Sequence, residues 1–115
     1  MNGKVCYLEI PSADVTQSAV FYSVVFGWQS RMRGDGSLAF DDASGDVSGS
    51  WVVGTRPAQE PGVLVYLMVD SMAASVESII ANGGTLVQAP RPDSPVVTAR
   101  FRDPAGNVFG LYQDG

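Results

Sequence analysis

A chain of 115 residues, 45% hydrophobic and 17% charged, has enough apolar side chain for one folded domain and is too hydrophobic for a disordered one. Seven basic residues against twelve acidic ones leave a formal charge of −5, which argues against a nucleic-acid partner, since that requires a basic stripe. The longest apolar run, VLVYLMV at 63–69, is far too short to cross a bilayer, and MNGKVCYLEI lacks the pattern of a secretory leader, so a soluble cytoplasmic protein with no membrane partner is expected.

In chain order, VCYLEI at 5–10 alternates and is rich in strand formers. Cys6, the only cysteine, has no disulfide partner and is expected to be a small buried hydrophobe. Asp14 with Gln17 predicts a capping box, after which Val15, Ala19, Tyr22 and Phe26 recur on one helical face until Gly27 ends the run. GWQSRMR and SLAFDD predict a hairpin around Gly34-Asp35-Gly36, and DVSGSWVVG supplies a further strand. A polar, proline-bearing linker over 55–62 then separates a first module (1–54) from a second (63–115) within one domain.

The order repeats after the linker. VLVYLMV predicts a strand; Met72, Val76, Ile79 and Ile80 form a helical stripe closed by Gly83-Gly84; TLVQ, PVVTARF and NVFGLYQ predict three strands, with a loop at 89–95 (APRPDSP) whose Arg91 or Asp93 could reach a ligand. Residues 40–51, FDDASGDVSGSW, align without a gap on 101–112, FRDPAGNVFGLY, and Tyr7 aligns on Tyr66. Each half is therefore βαβββ, too small to bury a core alone, and the fold class is α+β: two tandem βαβββ modules making a cup-shaped mixed sheet around a central cavity, with the helices on the outer face.

Alternation assigns the faces. The aliphatic sides should pack on the helices, leaving Tyr7, Glu9, Tyr66 and Met68 to line a shared concavity. In the repeated phrase Gly49 and Trp51 share a side, as do Gly110 and Tyr112, so the two glycines should clear space between aromatic walls. The resulting ligand-binding set is Tyr7, Glu9, Trp51, Tyr66, Met68, Arg100 and Tyr112. Enclosure among these aromatics would raise the pKa of Glu9 and suit it to act as a general base, or Glu9 could anchor a cation; the structural alternative is an ion pair with Arg100 or Arg102.

The duplicated modules, LEIPSADVTQSAVFYSVVFGW near the start and DPAGNVFGLYQ near the end together resemble the vicinal oxygen chelate superfamily, which includes glyoxalase I, extradiol dioxygenases, and fosfomycin- and bleomycin-resistance proteins. The resemblance covers nearly the whole chain and implies a homodimer. Metal-using members place a histidine at the start of each module's first strand and a glutamate near the end of each module's last strand. Those positions align here with Val5, Leu64, Gly49 and Gly110, none of which binds a metal, and the chain has no histidine. The expectation is a small glyoxalase-related member without metal or other cofactor: a binding protein holding an aromatic or cationic organic molecule, with a metal-free isomerase or lyase using Glu9 as base as the alternative and a metal-dependent glyoxalase or dioxygenase placed last.

Overall fold

The computed structural model describes residues 2–93 and 96–114. The first module contains β1 (Tyr7–Pro11), α1 (Val15–Phe26), β2 (Gln29–Met32), β3 (Leu38–Asp41) and β4 (Ser48–Val52). The second contains β5 (Tyr66–Met68), α2 (Met72–Ala81), β6 (Thr85–Asp93), β7 (Val96–Arg102) and β8 (Val108–Asp114). Helix α1 starts where the Asp14 carboxylate accepts the Gln17 amide at 3.0 Å and stops at Gly27, whose φ of 75° is left-handed. Helix α2 starts in the same way, with Ser71 Oγ accepting the Ala74 amide at 3.2 Å.

Each module forms one four-stranded sheet, ordered β1-β4-β3-β2 and β5-β8-β7-β6. The parallel pairs β1/β4 and β5/β8 need a long crossover, which α1 and α2 begin; the remaining pairs are antiparallel hairpins. The chain thus has the two βαβββ modules expected. One departure is the stretch 89–93, expected to be loop, which continues β6 as a strand with register irregularities between Leu86 and Arg91. Strand β6 lies at the edge of its sheet, where a proline's missing N–H breaks no ladder. Residues 94 and 95 of that stretch lie outside the described residues. Cys6 also departs from expectation: it precedes β1 and is exposed, because no element covers the chain before Tyr7.

The two sheets share one core built around α1. Phe21 and Tyr22 are buried and reach across the module boundary, Phe21 to Phe101 at 6.1 Å and Tyr22 edge-on to Phe109 at 6.0 Å between ring centroids. The boundary is also clasped by polar groups. The Tyr22 hydroxyl donates to Asp103 Oδ2 at 2.8 Å, Asp103 Oδ1 accepts the Ala105 and Asn107 amides at 3.0 and 2.8 Å, and Asn107 Nδ2 donates to the Pro11 carbonyl at 2.7 Å.

Hydrogen bonding defines which residues of the modules are true counterparts, and it corrects the ungapped alignment. Ser12 N–H donates to Val52 O as Val69 N–H donates to Tyr112 O; Asp14 caps α1 as Ser71 caps α2. The counterpart of Tyr66 is therefore Glu9, and that of Tyr7 is Leu64. In the last hairpin Asp42 closes on Val47, whereas Asp103 closes on Asn107. The first module's turn is one residue longer, at Asp46, so Ser50 corresponds to Gly110 and Trp51 to Leu111. Because side chains alternate, a slip of one residue moves each of them to the opposite face.

Gly49 therefore lies under the core, paired with Phe40, and a Cβ there would sit 2.1 Å from Leu8 O and 2.5 Å from Phe40 Cζ. Gly49→Ala is expected to lose stability at the upper end of the ~1–3 kcal/mol typical of overpacking, read as a lower urea midpoint with unchanged slope. Burial pushes the Asp103 carboxyl above its ordinary 3.8, against the opposing pull of its hydrogen bonds. A raised folded pKa means that the folded state binds the extra proton, so this contribution is full below 3.8 and is lost as pH rises through the folded value. The stability of the native chain minus that of Asp103→Asn should accordingly fall as pH rises from 3.8 and then level off; a difference that rises over that window contradicts the assignment.

Candidate functional site

Paired residues in adjacent strands share a face, so the ladders show which side chains point away from the helices. On the first sheet, Tyr7 pairs with Ser48 and Glu9 with Ser50, Ser50 with Ala39, and Ala39 with Arg31, placing Tyr7, Glu9, Arg31, Asp41, Ser48 and Ser50 on the helix-free face. On the second, Tyr66 pairs with Gly110 and Met68 with Tyr112, while Arg100 also pairs with Gly110. Tyr66, Met68, Arg100 and Tyr112 thus share that sheet's helix-free face. Tyr7 and Tyr66 are 44% and 43% exposed and Met68 is 72% exposed, so these faces are open and carry apolar groups that solvent ordinarily does not meet.

Trp51 is not part of this surface. It pairs with Ile10 on the helix side, 4% exposed, with its ring 4.9 Å from Phe40 and 6.1 Å from Tyr22. The expectation that it walls the concavity fails for the reason given above, the residue inserted at Asp46. Its Nε1–H is buried and finds no partner among the described residues. The paired glycines also clear no common space. At Gly49 the room is filled by the Phe40 ring on the core side, and at Gly110 by the Tyr66 ring on the open side, where a Cβ would come within 2.5 Å of Tyr66 Cδ2.

Glu9 is exposed rather than enclosed by aromatics. It lines a cleft of 260 Å³ at the module seam, with Pro11, Arg56, Val63 and Asn107. Tyr66 and Met68 line a different cleft of 420 Å³, with Trp28, Asp42 and Asp70. The two clefts are counterparts, each set between one module's first strand and the other module's last hairpin. Among the described residues the ion pairs are Lys4–Asp46 and Arg31–Asp41, so Glu9 is paired with neither Arg100 nor Arg102.

Two residues outside the sequence-derived set complete a polar cluster around Tyr7. Its hydroxyl donates to Ser50 Oγ at 3.2 Å, and Arg33 Nη2 donates to the Tyr7 oxygen while the guanidinium carbon lies 5.6 Å from the ring centroid. These bonds hold the phenol below its ordinary 10.0, the Ser50 bond contributing most and the Arg33 bond next. A partial signal for them was present in the sequence: alternation through β2 carries positions 29, 31 and 33 to one face, and the two serines flank Gly49 within a strand. Their approach to Tyr7 depends on the sheet order, which sequence pattern does not contain.

The positions aligned with metal ligands also change. Leu64 and Gly110 have Tyr7 and Ser50 as their counterparts, not Val5 and Gly49. A leucine, a glycine, a phenol and a hydroxyl do not fit a divalent ion, and among the described residues no three His, Cys, Asp or Glu side chains converge on one point.

A family profile described as a glyoxalase-like domain matches residues 7–112. A glyoxylase-like domain-containing protein of Didymella fabae is 31% identical over 120 residues, spanning 96% of this chain and 94% of the relative. Among solved structures, a glyoxalase/bleomycin resistance protein/dioxygenase family enzyme from Burkholderia phytofirmans superposes with a TM-score of 0.77 at 24% identity, covering 95% of this chain and 97% of that one. The fosfomycin resistance protein FosX from Mesorhizobium loti gives 0.75 at 15% identity, covering 100% and 94%, and so shares the fold.

The Tyr7 cluster can be tested optically. Absorbance titration at the phenolate band should show one ionisation below 10.0 that disappears in Tyr7→Phe and moves back toward 10.0 in Ser50→Ala and in Arg33→Gln. An ionisation unmoved by both partner substitutions would refute the cluster.

Proposed function

The chain belongs to the glyoxalase-like domain family, and from that premise we propose that it is a metal-independent small-molecule binding protein whose ligand is a flat organic compound held on the helix-free faces. The observation that carries this reading is the set of exposed or half-buried aromatic and apolar side chains there, Tyr66, Met68 and Tyr112 on the second sheet and Tyr7, bonded to Ser50 and Arg33, on the first. Tyrosine faces stack on planar ligands with little loss of side-chain freedom, and a few placed polar groups fix the orientation. Metal independence is supported by the residues at the four aligned positions, which offer no ligand set.

The alternative, a metal-free isomerase or lyase with Glu9 as general base, requires an enclosed carboxylate, and Glu9 is exposed. A homodimer remains part of the proposal, because a second copy could cover open sheet faces of this kind; sedimentation reads it directly.

The test is a ligand-observed NMR screen of planar aromatic compounds against protein prepared without added metal, followed by native mass spectrometry. Hits should bind equally in chelator and be recovered unchanged, and Tyr66→Ala and Tyr112→Ala should each weaken them by about tenfold, the scale of a lost ~1.5 kcal/mol ring contact. A stoichiometric divalent metal on the purified protein, or conversion of a hit, would overturn the reading.

A further inference from the structure

The distribution of charge deepens this reading and rests on it. The chain is acidic overall at −5, yet of its six arginines, 31, 33, 100 and 102 come to the helix-free faces. They are not equally available. Arg31 is committed to Asp41, with nitrogen–oxygen distances of 3.1 and 3.4 Å. Arg102 Nη1 donates to the Gly106 carbonyl at 2.9 Å. Neither Arg33 nor Arg100 has a carboxylate partner among the described residues, and of the two it is Arg33 that is set against an aromatic ring, its guanidinium carbon 5.6 Å from the Tyr7 centroid. The nearby Asp35 carboxylate accepts the Ser37 amide and hydroxyl at 3.0 and 2.7 Å, turned back on its own loop.

A guanidinium has five N–H donors in a planar fork, and the hydrogen bond to Tyr7 uses one of them. The Tyr7 hydroxyl hydrogen is directed at Ser50 and its oxygen accepts from Arg33, which fixes the phenol beside the guanidinium. Unspent donors of Arg33 therefore lie beside the Tyr7 phenol, whose ring is 44% exposed, while Ser50, only 5% exposed, sits beneath it and holds the hydroxyl in place. A planar acid satisfies both features at once: its carboxylate matches the guanidinium fork, and its ring has Tyr7 to stack on. Glu9, two residues along the same face, gives the surface a polarity, repelling an anion from its own end and leaving the Arg33 end for the acidic group.

We propose that Arg33 and Tyr7, with the Tyr7 hydroxyl held by Ser50, form an anion-binding hook, and that its ligand is a planar organic anion of the aromatic carboxylate class. This replaces the cationic option that Glu9 alone suggested from the sequence.

Benzoate and benzamidine, of the same shape and opposite charge, separate the possibilities by saturation-transfer NMR on the full chain. Benzoate should bind and benzamidine should bind markedly less. Arg33→Gln should weaken benzoate by about tenfold, with Tyr7→Phe and Ser50→Ala each losing about threefold, since a charged partner contributes more than a neutral one. Both probes should give the same result in chelator. A preference for benzamidine that is lost in Glu9→Gln would overturn the anion hook and leave the open-face binding reading standing. Benzoate binding unchanged in Arg33→Gln, with circular dichroism unaltered, would overturn the hook in the same way. Absence of binding by either probe would overturn both.

Discussion

The Asp103 carboxylate holds the two modules in register, and the rest of the architecture depends on that junction. It is 3% exposed and lies in the turn between β7 and β8, where it organises its own hairpin through the Ala105 and Asn107 amides and takes the Tyr22 hydroxyl from the other module. Asn107, oriented by the same carboxylate, then ties the hairpin to the end of β1 at Pro11. A carboxylate in so little water is costly unless its lone pairs are filled, and here every partner is a donor. The aromatic packing of Phe21 and Tyr22 against Phe101 and Phe109 supplies apolar burial, which is non-directional; the carboxylate network supplies the direction. Among the described residues the equivalent turn of the first module, at Asp42, bonds locally to Ser44, Gly45 and Val47, so the two turns match in shape and differ in what they hold together.

That asymmetry extends to the open faces through a single residue. The extra turn position at Asp46 advances β4 by one against β8, and the two last strands present opposite sets of side chains. On the first sheet the open face receives serines and the core receives Trp51; on the second the open face receives Gly110 and Tyr112 and the core receives Leu111. Around Tyr7 the first sheet is polar, with Arg31 and Arg33 beside Glu9 and Asp41, and around Tyr66 and Met68 the second is aromatic and aliphatic, with Arg100 and Arg102 on the same face.

The proposed anion site stands in a net-negative chain. Long-range attraction for anions is absent at −5, so recognition has to come from short-range geometry: donors left unspent, a ring left uncovered, and competing carboxylates engaged elsewhere. Asp41 is engaged by Arg31 and Ser48, and Asp35 by Ser37.

The sequence by itself determined the duplicated βαβββ order, the Asp14 start and Gly27 stop of α1, the apolar stripe of α2 and the aliphatic core faces of β1 and β5, because each of these depends on spacing within a few residues of chain. Tyr7, Glu9, Tyr66, Met68, Arg100 and Tyr112 were also readable as sharing a side with one another within their own strands. Only the tertiary structure decided which face β4 shows to the core, since an insertion of one residue leaves the alternation of Gly49 and Trp51 intact while exchanging its two sides. It alone brought Arg33 and Ser50 to Tyr7, across 26 and 43 residues of chain, and separated Glu9 from Tyr66 into two clefts. Periodicity records which residues share a face along a strand; hydrogen-bond register and module packing determine where that face points and what it meets.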